Sequence, residues 1–477
     1  MTALLAVQQA ALDRCNNADG FAYFLEMGMG KSLLALTEFQ QLVDRGEVSR
    51  LVVVCPNSFK EGWANEILKH KFNLESHTYE SGSANDFFLR RPFNRPPVII
   101  VNYEAIRSAS TMQYIKTFAA GRNCMVVFDE SISLKGNKSI QTKAAIELSK
   151  SFKYKRILSG RPQTQGPHDL WGQFRAIGKL EAWNYYVFRN TFCKMGGYMM
   201  KKVTGAMNED ILQDRIGPHM FRATKDDWLD LPPKLYTARE YRLTPRQQLQ
   251  YNMMENDFIT WVTDDVNVTV DAAITKYIKL AQIQCGFIID EGHKVNELVE
   301  TANNPRIALL RRVIEEEVPG KLAVVYVHRY SGEILLEAFA DQNPTYIRGN
   351  MADTEITANK DRFNNDPQCR VIFLQATAAR YGHTLVGGGE PQNMCNVMAF
   401  YENTWSLDTR SQLEDRIHRI GQRANSCLYV DLVGTHLDKK VITALQEKGS
   451  IFDAVFQHIR EVRHGAFQSL PVDAQRG

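Results

Sequence analysis

Three short groups of residues could do chemistry on a phosphate. The first is Gly28-Met29-Gly30-Lys31-Ser32, followed at once by the apolar stretch "LLALTEFQQLV". Glycines let backbone N–H groups close around phosphate oxygens, and a helix start adds partial positive charge. A lysine there reaches the outer phosphates and a hydroxyl can ligate a divalent cation. A full loop of this type has another glycine six residues before the lysine, where this chain has Leu25. The second group is Asp129-Glu130 at the end of the hydrophobic run "MVVF". An acidic residue at a strand's carboxyl end can hold a nucleotide-bound cation, and its neighbour can orient or deprotonate water. The third is Gln412, Arg416 and Arg419 in "SQLEDRIHRIGQR", spaced by four and three so that on a helix they share one face. Paired arginines stabilise the charge that develops in phosphoryl transfer. Taken singly, these are also a turn before a helix, an acidic strand end and a solvated basic face; their co-occurrence in one chain gives them weight.

Such groups need strands to end beside one another. Short β-branched runs bounded by turn residues recur at Arg50 to Pro56, Pro97 to Glu104, Asn123 to Ser131 and Tyr154 to Gly160. Their unbroken hydrophobicity is that of strands covered on both faces. Helical patterns lie between them, as in "SFKEGWANEILKH", where Ser58 could cap. A second series follows at Lys321 to Arg329, Cys369 to Thr377, Asn396 to Asn403 and Ser426 to Gly434. The alternation predicts an α/β protein with two parallel-sheet domains in tandem. Between them, "LDLPPKLYT" reads as a proline-stiffened connector, and Thr244-Pro245 opens a helical insertion that continues to about Gly286. Asn304-Pro305 announces the second unit. The boundaries expected are 1–232, 233–300 and 301–477, the last with C-terminal helices and without an extended disordered tail.

The 477 residues, 44% hydrophobic and 23% charged, are too many for one ordinary core and suit a globular protein of two or three domains. A net charge of +3 permits a polyanion partner without demanding one. The eight cysteines form no Cys-x-x-Cys pair and no zinc spacing, which fits buried reduced thiols. "MTALLAVQQAALDR" lacks a signal peptide's basic lead-in, and no apolar run is long enough to span a bilayer. The expectation is a soluble cytoplasmic protein with no membrane partner.

In order along the chain, "EMGMGKS", "VVVCPNSFKEGW", "IIVNYEAI", "DESI", "LSGRPQTQGPHDLW", "AVVYVHR", "LQATAARYGHTL" and "QLEDRIHRIGQR" resemble motif I, motif Ia, the block that follows it, and motifs II to VI of the Swi/Snf-type ATPases of helicase superfamily 2. The resemblance runs from about Ala6 to about Ala454 and is closest to small phage- or bacterial-type members. It implies two RecA-like lobes, ATP and Mg2+ as cofactors, hydrolysis of ATP, and movement on double-stranded DNA. Strand separation on branched DNA or RNA, or a nucleotide-gated binding switch, are the other readings. By position it implies that Lys31 and Ser32 hold phosphate and Mg2+, with Gly28, Met29 and Gly30 shaping the loop. Asp129 would hold the ion and Glu130 would activate water; the compact single-chain build suggests a monomer, in a bacterial or phage-infected host cytoplasm. Arg416 and Arg419 would be arginine fingers, and Gly382 and Gln412 would belong to the same interlobe cleft. Gln8 would contact adenine, with Gln9 adjacent. The sequence departs from the family pattern at Leu25 in place of an acid, at Ser131-Ile132 in place of alanine-histidine, and at Ala379-Arg380 in place of a glycine pair. Hydrolysis is expected to survive, with the effect of Leu25 confined to ATP affinity. The block Phe188 to Gly205, with Lys194, Lys201 and Lys202, reads as a basic hairpin or a DNA-backbone contact. Arg222 and Lys225 read as structural or backbone-contacting rather than catalytic.

Overall fold

A computed structural model of the chain describes residues 3–80, 84–196, 202–264, 270–379, 384–404 and 406–446. The chain divides into two compact units, Met1–Asp230 and Leu231–Gly477. Each is built on a parallel sheet.

In the first unit the strands are β1 (Gly20–Leu25), β2 (Arg50–Cys55), β3 (Glu75–Thr78), β4 (Pro97–Asn102), β5 (Cys124–Phe128), β6 (Tyr154–Leu158), the hairpin β7 (Cys193–Gly196) and β8 (Lys202–Ala206), and β9 (Met220–Ala223). The main sheet has the order β3-β4-β2-β5-β6-β1-β9, with every pair parallel. Side chains alternate across it. Phe21, Tyr23 and Leu25 face α1 (Ala6–Cys15), α2 (Lys31–Asp44) and α3 (Lys60–Lys69), while Ala22 and Phe24 face the helices Ala109–Ala119, Ile140–Ser149 and Asp169–Ala176. Both faces are therefore buried, which is why these strands read as continuous apolar runs. Arg156 on β6 is fully buried and grips Glu38 of α2 through Nε at 3.0 and 2.9 Å and Nη2 at 2.5 Å, and Tyr23 donates to the same carboxylate at 3.0 Å. This pair fixes how α2, and the loop at its head, sits on the sheet.

In the second unit β10 (Lys234–Glu240), β13 (Lys321–Tyr326), β14 (Thr345–Ile347), β15 (Val371–Gln375), β16 (Cys395–Phe400) and β17 (Cys427–Val433) form a parallel sheet of order β10-β17-β16-β13-β15-β14. A small antiparallel hairpin joins β11 (Phe287–Ile289) to β12 (Val295–Glu297). Thr244 and Gln247 cap the Pro245–Asp264 helix reciprocally, and Asn304 caps the Pro305–Arg312 helix through Arg306 N at 3.0 Å. Glu402, just past β16, is the polar centre of this unit. It accepts from His328 Nδ1 at 2.8 Å, His328 N at 2.8 Å, Ser331 Oγ at 2.7 Å, Cys285 Sγ at 2.9 Å and the amide of Val327. Burial alone would push its carboxyl up, but the His328 charge and these donors hold it down from 4.5 to about 2.

Three expectations need correction. The "connector" at 229–237 contains the start of β10, which pairs in parallel along the whole of β17. The second unit's sheet thus begins well before Asn304. Ser58 does not cap α3: it lies in a 3-10 turn, Asn57–Phe59, and the helix starts at Lys60 after Phe59. The helix expected over Ser411 to Arg423 covers only Leu407–Glu414. Beyond it the chain turns so that Ile417 is buried and Gln422 Nε2 donates to Ile417 O at 3.0 Å and to Cys395 O at 2.9 Å. Among the described residues no helix is long and apolar enough to cross a membrane. Lys201, Arg380, Gly382 and residues 447–477 lie outside the described residues.

The side chain of Leu25 is fully buried with Met29, Leu34 and Val53, so its substitution acts on packing before it acts on ATP affinity. Leu25→Asp is expected to cost about 3–5 kcal/mol by burying an unpaired carboxylate, and Leu25→Met less than about 1.5 kcal/mol; thermal melts of the two variants check this. Glu402 has a depressed carboxyl, so its stabilisation is present above its ordinary value near 4.5 and is lost as pH falls toward about 2. Glu402→Gln should therefore destabilise β13 and β16 by up to ~3 kcal/mol at pH 7, with the gap to wild type closing below about pH 4.5, as read by hydrogen-exchange protection of those strands.

Candidate nucleotide site

β1 ends at Leu25 and the chain must then turn to enter α2. Gly28 (φ +87°) and Gly30 (φ +71°) take left-handed backbone in this turn, a conformation that disfavours a side chain. A Cβ on Gly30 would also lie 2.3 Å from Gln8 Nε2. Gln8, on α1, is buried and donates to Met29 O at 3.0 Å and Gly30 O at 3.1 Å, while its Oε1 accepts from Leu5 N at 2.9 Å. Gln9 is exposed and bonds Asp13 instead. Of the two glutamines, Gln8 is thus the one joined to the loop. Met29 is fully buried and anchors the loop in the core.

Lys31 is the first residue of α2 and is buried. Its ammonium donates to the carbonyl of Leu25 at 3.1 Å. The position six residues before the lysine therefore contributes its backbone, which any residue type supplies. Ser32 follows, half-buried, in the first helical turn.

β5 delivers Asp129 and Glu130 to the same carboxyl edge of the sheet, with β6 lying between β5 and β1. Asp129 is buried; its Oδ2 accepts from Trp63 Nε1 at 2.9 Å and its Oδ1 from Glu130 N at 2.9 Å. Burial raises its pKa, opposed by the positive charge of Lys31 and by the Trp63 donor. Glu130 is half-buried and left-handed, at φ +47°. A non-glycine residue held there carries roughly 1–3 kcal/mol of strain, a cost found mostly where geometry serves function.

Asp129 and the hydroxyl of Ser32 are hard oxygen donors, and a divalent cation would relieve the penalty of ionising Asp129 in this setting. Among the described residues no three His, Cys, Asp or Glu side chains form a metal cage. Two protein oxygens suit a cation that keeps water and shares phosphate oxygens, as Mg2+ does. The donor set fits the ion.

In the second unit, Gln412 and Arg416 are brought together: Arg416 Nε donates to Gln412 O at 2.8 Å, and Arg416 is almost fully buried. Gln412 Nε2 donates to Asp408 at 2.9 Å, and its Oε1 is buried without a partner among the described residues. Arg419 sits in the turn after the helix, half-buried, so the three do not share one helical face. Ala379 is buried in the sheet's core. Lys194 lies on β7, in the hairpin with β8; Arg222 is exposed on β9; Lys225 is buried, and its backbone N–H donates to Glu26 at 2.8 Å.

Sequence reasoning missed Trp63, whose indole holds Asp129, and Tyr103, whose hydroxyl donates to Asp129 O at 2.8 Å. Both look like core aromatics in sequence, and only their polar tips mark them.

The family model described as "SNF2-related domain" matches residues 12–287. A Caenorhabditis elegans homolog of SWI/SNF-related matrix-associated actin-dependent regulator of chromatin subfamily A-like protein 1 is 26% identical, over 83% of this chain and 54% of its own length. The mouse "DNA annealing helicase and endonuclease ZRANB3" is 22% identical over 92% of this chain and 38% of its own length. The chain thus spans about half or less of these curated relatives. Two solved SWI2/SNF2 ATPase core structures from Sulfolobus solfataricus, one in complex with dsDNA, overlay with TM-scores of 0.42 and 0.40 at 20% and 22% identity. They cover 100% and 95% of this chain, which spans 96% and 90% of theirs. With more than half its length matched by that family model, and its glycine-shaped turn at Lys31 and its Asp-Glu turn set on one sheet edge, the chain belongs to the SNF2-related domain family.

Proposed function

We propose that the chain is an ATP hydrolase that uses the energy of hydrolysis to move on or remodel double-stranded DNA. The observation that carries this reading is the convergence at one sheet edge of a glycine-shaped loop, the buried Lys31 at a helix start, and Asp129-Glu130. Membership of the SNF2-related domain family supports it, as does the similarity to the mouse DNA annealing helicase and endonuclease ZRANB3.

In this mechanism the N–H groups of the Gly28–Lys31 turn and the start of α2 receive the phosphates. Lys31 leaves the Leu25 carbonyl for a phosphate oxygen and neutralises charge there. Ser32 and Asp129 would hold Mg2+, which draws charge from the phosphate oxygens. Glu130 orients the attacking water and accepts its proton as the new bond to the terminal phosphorus forms and the bond to the bridging oxygen breaks, giving ADP and phosphate. Arg416 and Arg419 of the second unit are assigned to transition-state charge. Gln8 steadies the loop and would read adenine by exchanging its present bonds. The working species in this reading is a monomer with branched DNA as a variant substrate, and the eight free, buried cysteines suit a reducing compartment such as the cytoplasm.

Turnover of ATP measured without nucleic acid and with duplex, single-stranded, junction and RNA substrates tests the reading. Duplex DNA should stimulate most. Lys31→Ala should abolish turnover, and Glu130→Gln should lower it about 10²–10⁴-fold while leaving ATP binding intact. Stimulation by RNA and not by duplex would overturn the choice of track, and a wild type no faster than Lys31→Ala would make the protein a binding switch. A triplex-displacement assay run beside strand separation distinguishes tracking from unwinding; release of the third strand without opening of the duplex is the expected result.

A further inference from the structure

The residue after Glu130 is a serine whose side chain is completely buried, which is unusual for a hydroxyl unless it has a specific partner. Ser131 Oγ donates to Gln173 Oε1 at 2.7 Å. Gln173, on the Asp169–Ala176 helix, is equally buried, and its Nε2 donates to Pro162 O at 2.6 Å and to Asp169 O at 2.9 Å. Both amide hydrogens and the amide oxygen are engaged. A flipped amide would set its oxygen against two carbonyls, so the orientation is fixed by the network.

Pro162 belongs to the loop that follows β6, and the same helix holds that loop a second time. Asp169 Oδ2 accepts from Thr164 N at 2.8 Å, Gln165 N at 2.8 Å and Thr164 Oγ1 at 3.2 Å. The helix also presses against the turn after Glu130: a Cβ on Gly172 would lie 2.0 Å from Leu134 O. On its other side the loop abuts the phosphate loop, where a Cβ on Gly160 would lie 3.2 Å from Met27 N. The Gly160–Gln165 segment is therefore bounded by both halves of the nucleotide site, and Arg161, Gln163, Thr164 and Gln165 are exposed on its outer side.

We propose that Ser131 and Gln173 are positioning residues, a hydrogen-bonded link that passes the state of the Asp129-Glu130 turn to the exposed Gly160–Gln165 loop. This rests on the ATPase reading above. Ile132, the next residue, has no polar side-chain atom, so the Ser131 hydroxyl is the polar group this turn offers to the helix. Glu130 is covalently next to Ser131 and sits in strained backbone, so a change in what Glu130 contacts is transmitted to Ser131, and through Gln173 to the loop backbone at Pro162. An apolar pair of the same size would pack as well and transmit nothing.

The test compares wild type with Ser131→Ala, Gln173→Met and Gln173→Glu. The glutamate keeps an acceptor for Ser131 but loses the donor to Pro162; the methionine keeps the volume and loses both. Thermal melting, the ATP KM, basal turnover, duplex-stimulated turnover and hydrogen exchange of residues 160–166 with and without ADP and Mg2+ are read for each. In wild type, nucleotide should change exchange in that loop. In Gln173→Met and Gln173→Glu that response should vanish and duplex stimulation should fall about tenfold, with the ATP KM and basal turnover within about twofold of wild type. Full stimulation in Gln173→Met, an equal fall of basal and stimulated turnover, or a wild-type loop indifferent to nucleotide overturns the link. A wild type that hydrolyses ATP without any response to DNA overturns the motor reading, and loop exchange alone then decides on the link. A wild type that binds no nucleotide overturns both.

Discussion

Left-handed backbone at two strand ends is the constraint on which the first unit's chemistry depends. Where β1 ends, Gly28 and Gly30 adopt it without cost to a side chain; where β5 ends, Glu130 adopts it with a side chain in place. Without the first, the N–H groups at the head of α2 would not close into a cradle. Without the second, the chain after Asp129 would continue past the sheet edge and carry Glu130 away from it. The strain at Glu130 persists because its neighbours leave no alternative. Glu130 N bonds Asp129 Oδ1, Ser133 N bonds Glu130 O at 3.0 Å, and Ser131 is locked to Gln173.

Such turns hold their positions only if the elements that carry them cannot slide. Buried charge does this in both units, by different means. In the first, Arg156 and Glu38 tie β6 to α2 at one lateral position, because a shift of either would leave a charge unpaired in the core, a loss of several kcal/mol. In the second, Arg410 joins Asp431 on β17 at 2.7 Å and Glu414 on its own helix at 2.9 Å, which fixes the helix preceding Arg416 and Arg419. Apolar packing would supply comparable stability with less demand on register. The ionic pairs add definition of place, and the residues assigned to phosphate chemistry lie within a turn or two of them.

How much of this was legible in the sequence follows from what each feature is made of. The eight strands with continuous Val, Ile and Leu runs could be read because burial on both faces leaves an unmistakable pattern. β10 is an edge strand rich in polar residues and reads as a connector, and the edge strands β3 and β9 lack an apolar run that would mark them as strands. Lys31, Asp129 and Glu130 stood out as residue types in order, and the fold brings them to one sheet edge. Leu25 and Gln173 were not visible. At Leu25 the group that meets Lys31 is a backbone carbonyl, which carries no sequence signal. Gln173 looks like one more polar residue on a helix until the fold shows it buried between two loops. The helix drawn through Arg416 and Arg419 failed because spacing alone cannot see Ile417, whose burial turns the chain back onto the sheet.

Leu25 shows why a departure from a family's pattern need not be a loss. β1 alternates its side chains between two cores, and position 25 falls on the face shared with Met29 and Leu34. A carboxylate there would have to escape that face or find a buried cation, and the nearest, Lys31, is already aimed at the Leu25 carbonyl. With leucine, the strand end is apolar and stiff, and Lys31 rests on a neutral acceptor. Its interaction with that acceptor is weaker than an ion pair would be, so in the proposed mechanism less would be given up on transfer of the ammonium to a phosphate oxygen. With leucine at this position, residue 25 brings no carboxylate to compete for the Lys31 ammonium.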